Sequence, residues 1–424
     1  MTLLFHLGAV RWKMLSLIFC ATALNYIDRA ALGIMQPVLS KSLNWSTMDY
    51  ANINFWFQAG YAAGYFAQGT FIDRFGVKKV FFLAVLLWSL ATGLHGFVTS
   101  VSGFIICRLI LGFTEAANYP AGVKISRLWF PAKERALATG LFNAGTHIGA
   151  MITPILLPIL LITWGWQSVF FTLGAVGIVW SMVWLRFYRD PESHPQLSAL
   201  EKSHIQSDNE PEFEKVPMHR ILRMRGTWAF AVAFTLTAPV FWFYLYWLPS
   251  FLNQEYALGI SVSQIGLPLI IIYLSADLGS IGGGIISSNL IKRGMRPVNA
   301  RLLTLSCCTV LVTTILLANS PNLWTCVFAI AVGIAAGQAW ITNIYNIVMD
   351  YTPKHMISTV FGFGGMCAAM GGMLMTQIVG HFLTLTNNNY QALFAAIPGL
   401  YVVALAWLFI TAPRSIQTPI AGDQ

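Results

Sequence analysis

Four ionisable residues stand inside apolar stretches of this chain, and they are of the types that grip an anion and carry a proton. Asp28 and Arg29 are adjacent in an otherwise almost wholly apolar run between Met14 and Pro37, and Arg108 and Glu115 share a second run. A charged side chain at the centre of a bilayer-length helix costs about 2.5–3.5 kcal/mol on insertion scales, so such residues persist where they pair or line a path for ions and substrates. Arginine offers a rigid fork of donors that matches a carboxylate. Aspartate and glutamate in a dry site take up protons rather than keep an uncompensated charge. Movement of an anion together with protons is the first chemistry these types suggest. A structural ion-pair network that only ties two helices together is the competing reading.

Spacing sharpens this. Arg108 and Glu115 are two helical turns apart, so they project from one face about 10 Å apart along the axis, whereas neighbours such as Asp28 and Arg29 diverge by about 100°. The expected arrangement has Asp28 facing Arg108 while Arg29 points into a cavity. With Asp277 added, three acids would face two arginines at mid-membrane. A bound carboxylate would then draw a proton onto Asp28 or Glu115, and by linkage protonation would tighten anion binding.

The elements that must position these residues are membrane spans. The 424 residues are 56% hydrophobic and 10% charged, with a mean hydropathy of +0.65; soluble domains carry about 25% charged residues. Apolar runs of about 20 residues fall near 13–37, 50–72, 78–98, 102–127, 136–160 and 167–187, then near 226–254, 262–291, 298–318, 322–349, 355–380 and 389–412. This predicts an all-α membrane protein of twelve transmembrane helices in two six-helix bundles, 1–187 and 226–424, joined by a charged, solvated linker over 188–225. Of the 25 lysines and arginines, all but Lys41, Arg29 and Arg108 fall on alternate connections beginning with the N-terminus. That bias predicts cytoplasmic termini. Arg29 interrupts the first apolar run and no small-residue cleavage site follows, so a retained first span is expected rather than a signal peptide.

The net charge of +9 does not indicate nucleic-acid binding, because the basic residues lie in short connections rather than on one patch. Cys20, Cys107, Cys307, Cys308, Cys326 and Cys367 lack paired metal-type spacing and lie in apolar segments, which predicts buried packing thiols. No metal or other cofactor is expected. The usual hydrolase and ATPase signatures are absent, so an enzyme is not expected.

The two halves repeat. Pro131, Gly140 and Gly149 recur as Pro353, Gly362 and Gly371, and Gly76 and Lys78 as Gly294 and Arg296. Gly69, Asp73, Arg74, Gly76 and Lys78 resemble the G-x-x-x-D-R-x-G-x-[RK] loop signature of the major facilitator superfamily, while Ile291 replaces the acid in the C-terminal copy. Parallel six-helix repeats are that superfamily's architecture. Further segments resemble its anion:cation symporters, most closely the hexuronate and sugar-acid type (galacturonate, glucuronate, galactonate). They are Asn25-Tyr26-Ile27-Asp28-Arg29; Glu115 with Asn118, Tyr119 and Pro120; Trp129 to Arg135; Phe243 to Pro249; and Ala276-Asp277 through Gly284. Ala238-Pro239 departs from the Asp-Pro of close hexuronate transporters, and Gly337 stands where they tend to have His.

The resemblance implies proton-coupled import of a sugar-acid anion by alternating access in a bacterial cytoplasmic membrane. Its partners would be a small organic anion, protons and the lipid bilayer, with a monomer as the expected assembly. It also implies roles: Asp28 and Glu115 carry protons, Arg108 partners Asp28, Arg29 holds the substrate carboxylate, and Tyr26, Tyr61 and Thr146 contact substrate. His147 reads either as a ligand for a sugar hydroxyl or proton, or as a packing histidine. Asp277 is balanced between coupling and helix packing. Trp340, Asn343 and Tyr345 bring stacking and hydrogen-bonding groups into span ten, as a sugar would need. Asp73, Arg74 and Lys78 are expected to gate the cytoplasmic side. Within transport, the alternative is a carrier or exchanger of another organic anion, such as the organophosphate antiporters. A doubly charged phosphate would call for paired arginines with less need of acids.

Overall fold

The computed structural model describes residues 9–205, 218–258, 262–352 and 356–413, and these are helices and their connections, with no strand among them. They divide into two compact units, Met1–Glu212 and Phe213–Gln424. Pro353 of the repeat and the cations Lys215, Lys354 and Arg414 lie outside the described residues.

The first unit contains α1 (Ala9–Leu43), α2 (Thr47–Phe75), α3 (Val77–Leu94), α4 (Val101–Glu115), α5 (Asn118–Trp129), α6 (Ala132–Trp164), α7 (Trp166–Phe187) and the short α8 (Ala199–Ile205). The second contains α9 (Met218–Leu222), α10 (Arg225–Tyr256), α11 (Leu267–Lys292), α12 (Pro297–Val312), α13 (Leu323–Tyr351), α14 (Ile357–Leu385) and α15 (Tyr390–Thr411). Among the described residues, 11 helical segments are long and apolar enough to cross a membrane, with α4 and α5 forming one of them, Val101–Trp129. The remaining expected span is α2. Its 29 residues are of bilayer length, but it carries Asn52, Asn54, Gln58 and Gln68 along its middle.

The repeat reappears in the packing. In the first unit α1 lies on α6, α2 on α4, and α3 on α7; in the second α10 lies on α14, α11 on α13, and α12 on α13 and α15. Small residues set the close approaches, as expected where lipid supplies no drive for helices to associate. A Cβ at Gly60 or Gly112 would collide with the backbone oxygen of Leu109 or Phe57 on the facing helix. Gly76, between α2 and α3, has φ 86°, and its repeat mate Gly294 has φ 94°. These left-handed turns are the reason for glycine in the loop signature.

Two expectations need correction. The first part of the linker, expected to be solvated, is anchored to the first unit at Glu201, while Arg189, Glu192 and Lys202 remain exposed. Glu201 of α8 is 4% exposed and accepts the Arg11 backbone N–H at 3.1 Å, and Arg11 in turn pairs with Glu134 at 2.9 Å. The first N–H groups of α1 have no partner within the helix, so an acid there serves as a cap. Among the cysteines, Cys107, Cys308 and Cys326 are buried and Cys367 is half-buried, but Cys20 and Cys307 lie on exposed helix faces; all six are free thiols. An apolar neighbourhood in a membrane protein does not distinguish a core face from an outer one.

Candidate functional site

The site is built around a break in span four. Pro120 has no N–H to offer the carbonyl four residues earlier, and α4 stops at Glu115, with a turn at residues 116–117 before α5 resumes at Asn118. Glu115 therefore sits at the C-terminal end of α4, where the helix dipole disfavours an anion and calls for a cation. Arg29 supplies it. Its Nη2 lies 3.2 Å and its Nε 3.4 Å from Glu115 Oε2, with the two residues 3% and 0% exposed. Asn25, one turn before Arg29 on α1, donates from Nδ2 to the Glu115 backbone oxygen at 3.3 Å and accepts from Arg29 Nη2 at 3.4 Å. Its amide thus caps a carbonyl that the helix end leaves free.

Aromatic rings close over the guanidinium. The Arg29 Cζ is 4.5 Å from the Tyr61 ring centroid, 4.8 Å from Tyr26 and 5.4 Å from Phe57. Cations held over ring faces at this range gain about 0.5–2 kcal/mol, more as they are desolvated. Phe57 is shared, with the Arg108 Cζ 5.5 Å from the same ring. Tyr26 is held from behind, because a Cβ at Gly149 of α6 would lie 3.0 Å from the Tyr26 Cβ. Glu115 Oε1 is buried and accepts no hydrogen bond among the described residues. A buried carboxylate with one oxygen on an arginine and the other unsatisfied is an arrangement that needs an explanation.

Asp28 is 5% exposed and lies within the electrostatic reach of Arg108 and Glu115, with the Thr92 hydroxyl of α3 beside it. Arg108 is 1% exposed. Arg29 thus bonds Glu115, while Asp28 lies within reach of both Glu115 and Arg108. The expected exposure of Arg29 to an open cavity needs correction: Glu115 and three rings enclose it, because the helix break brings the acid to the level of Arg29.

Several residues of this cluster carry signals that were not drawn from the sequence. Thr22, Asn25 and Arg29 follow a three-and-four spacing, which makes a polar stripe down α1. Thr22 accepts from Asn118 Nδ2 at 3.0 Å and donates to the Ile18 oxygen at 2.9 Å. His95, just past the C-terminal end of α3, is fully buried, with Nδ1 2.7 Å from the Ala91 oxygen and its ring stacked on Phe170 at 5.2 Å. Phe57 carried no sequence signal, since an apolar residue in an apolar span is indistinguishable from packing.

The other expected site residues are more dispersed. Thr146 is 7% exposed and donates to the Asn143 oxygen at 2.8 Å, while the adjacent His147 is half-buried on α6. Asp277 is half-buried on α11 in the second unit, so the midplane acids are divided between units. Near it, Ser275 donates to the Ala331 oxygen at 2.8 Å, and Ser280 is 2.7 Å from Thr342. Asn343 is fully buried and donates to the Gly283 and Ala339 oxygens at 3.1 and 2.9 Å, which makes it a tie between α11 and α13. Trp340 is fully buried with its ring edge-on to Tyr401 at 5.3 Å, and Tyr345 packs among Phe230, Phe234 and Phe361. A Cβ at Gly337 would lie 2.7 Å from the Tyr401 hydroxyl, so that hydroxyl occupies the space a side chain at 337 would need.

Asp73, Arg74 and Lys78, expected from the sequence to form a gate, lie at the α2–α3 connection. Asp73 pairs with Lys124 of α5 at 2.8 Å, an exposed pair with Asp73 71% accessible. Arg74 lies 5.3 Å over the ring of Phe75, and the Lys78 backbone oxygen accepts from Trp184 Nε1 at 3.0 Å. No group of three or more metal-ligating side chains occurs among the described residues.

Comparison with known proteins supplies context for this geometry. The chain matches the Major Facilitator Superfamily over residues 18–376. It is 29% identical over 423 residues to the "Probable galactarate/D-glucarate transporter GarP" of Escherichia coli K12, covering 94% of each chain. It is 30% identical over 396 residues to the "Hexuronate transporter" of the same strain, covering 92% of this chain and 90% of that one. Among solved structures, a bacterial homologue of the human lysosomal transporter Spinster, in an inward-facing and occupied conformation, aligns with a TM-score of 0.68 at 16% identity over 95% of both chains. At that identity the likeness speaks for the fold alone.

Proposed function

This chain belongs to the Major Facilitator Superfamily and is a multi-pass membrane transporter rather than an enzyme, and from that premise we propose that it imports a sugar-acid anion together with protons. The observation that carries the reading is the buried Arg29–Glu115 pair in its cage of Tyr26, Tyr61 and Phe57. An arginine fork is matched to a sugar-acid carboxylate, and two half-buried tyrosines beside it offer hydroxyls to the polyol chain. The names of the relatives, a hexuronate transporter and a probable galactarate/D-glucarate transporter, support the substrate class.

Coupling follows from competition for Arg29. A substrate carboxylate that takes the guanidinium leaves Glu115 buried without its cation. An isolated buried charge costs several kcal/mol, so Glu115 takes a proton as the substrate binds. When the proton leaves, Glu115 reclaims Arg29 and the anion is expelled. Asp28, beside Arg108 and Thr92, is a second carrier that responds to the same change of field. By linkage, protonation tightens anion binding. The carrier works as a monomer in a bacterial cytoplasmic membrane with both termini in the cytoplasm. An exchanger of doubly charged phosphates would gain from two arginines converging on one ligand. Here both arginines are already engaged by buried acids, the fork of Arg29 on Glu115 and Arg108 acting on both Glu115 and Asp28.

In proteoliposomes, an inward proton gradient alone is expected to drive accumulation of galacturonate, glucuronate or galactarate, and half-saturation should fall as the external pH is lowered. Accumulation that persists after the gradient is collapsed would contradict the coupling.

A further inference from the structure

A second site is formed where the N-terminal end of α1 approaches the C-terminal end of α7. A groove of about 510 Å³ opens there, away from the Arg29–Glu115 cluster. Pockets of 300–1,000 Å³ accommodate small ligands. Lys13, Arg186 and Arg189 line it together with His194, while Leu17 and Phe187 form its apolar wall. All three long cations are exposed, and none of them makes an ion pair among the described residues.

The nearest described acids form no ion pair with these cations. Glu201 is turned to the Arg11 backbone N–H, and Asp190 accepts from the Tyr188 hydroxyl at 3.2 Å. Burial, Arg189 and Lys13 together hold the proton affinity of His194 below the usual histidine value, while Glu201 opposes them. Among the described residues the groove is therefore a concentrated positive site.

Its position identifies the anion. The membrane-crossing segment Trp166–Phe187 ends at this groove and the segment Val10–Leu43 begins there, so the cations straddle a boundary between lipid and water. Phe187 is 57% exposed beside them. A free phosphate would have no use for that apolar wall. We propose that the groove binds the headgroup of an anionic phospholipid, its phosphate held by Lys13, Arg186 and Arg189 and the start of an acyl chain lying on Leu17 and Phe187. Basic pockets at helix ends recognise such headgroups through this combination of charge and apolar surface.

The test is thermal unfolding of the detergent-purified full-length protein titrated with dioctanoyl phosphatidylglycerol, dioctanoyl phosphatidylcholine or inorganic phosphate. Phosphatidylglycerol should stabilise the wild type saturably, and the other two should not. Each of Lys13→Gln, Arg186→Gln and Arg189→Gln should weaken the apparent affinity about fivefold, and the triple variant about a hundredfold. Counterflow of substrate should stay unchanged in the single variants, which shows that they are folded. Arg186→Lys with Arg189→Lys should retain most of the affinity. If the triple variant does not fold, the single variants still decide the matter. An unchanged phosphatidylglycerol affinity in all of them, equal stabilisation by phosphatidylcholine, or equal protection by inorganic phosphate would overturn the proposal.

Discussion

The two units share one packing plan but bury different chemistry. In the first, four ionisable side chains, Asp28, Arg29, Arg108 and Glu115, are 5% exposed or less. In the second, the helix pair that repeats α2 and α4 is tied by neutral groups: Asn343 on the Gly283 and Ala339 oxygens, Ser280 on Thr342, and Ser275 on the Ala331 oxygen. Its ion pair between Arg301 and Asp350, at 3.4 Å, joins α12 to the last turns of α13, and Arg301 also bonds Ser287. A duplicated scaffold has kept its small-residue contacts while burying different chemistry in each half. The charged half suits coupling to protons, and the neutral, aromatic half suits shape and hydroxyl recognition.

The comparison can be broken most severely at Arg29. Arg29→Gln is expected to abolish transport and to destabilise the protein by roughly 3–5 kcal/mol, because it leaves Glu115 buried without its partner; thermal unfolding and uptake read the two effects. Arg29→Lys keeps the charge but loses the fork, and half-saturation should rise by about 10- to 100-fold. An unchanged affinity would remove the carboxylate contact from the account.

Gly112→Ala drives a methyl group into the Phe57 backbone and should cost about 1–3 kcal/mol. Phe57 lies between the two arginines, so proton coupling should weaken along with stability. Asn343→Ala in the other unit should cost about 1–2 kcal/mol through its lost hydrogen bonds, yet leave the dependence of uptake on the proton gradient intact. Loss of coupling in that variant would end the division of labour between the units. The smallest effect is expected for Asp73→Asn. Its pair with Lys124 is exposed and contributes under about 1 kcal/mol, so unfolding should barely shift while the initial transport rate falls with half-saturation unchanged.

What was legible in the sequence follows the same contrast. Intramembrane charge stands out against an apolar run whatever the rotation of the helix, so the four ionisable residues of the first unit and the spans that carry them could be identified. Pairing was harder. That Glu115 meets Arg29 depends on where α4 breaks before Pro120, a matter of a few residues that hydropathy averages away. The neutral half was legible only as unusual polarity in span ten. Nothing in residue type distinguishes an asparagine that tethers two backbones, as Asn343 does, from one that faces a ligand. The folded start of the linker was hidden for a related reason. Glu201 and His204 read as solvated charge, but Glu201 caps α1 and His204 lies 3.1 Å from Glu134.

The most direct test of the central claim compares two modes of transport in one variant. Glu115→Gln, reconstituted in proteoliposomes, is assayed for counterflow of labelled sugar acid and for accumulation driven by a proton gradient. If Glu115 is the proton carrier released when substrate takes Arg29, counterflow should persist while gradient-driven accumulation is lost. Equal loss of both modes, or accumulation that survives the substitution, would contradict the account.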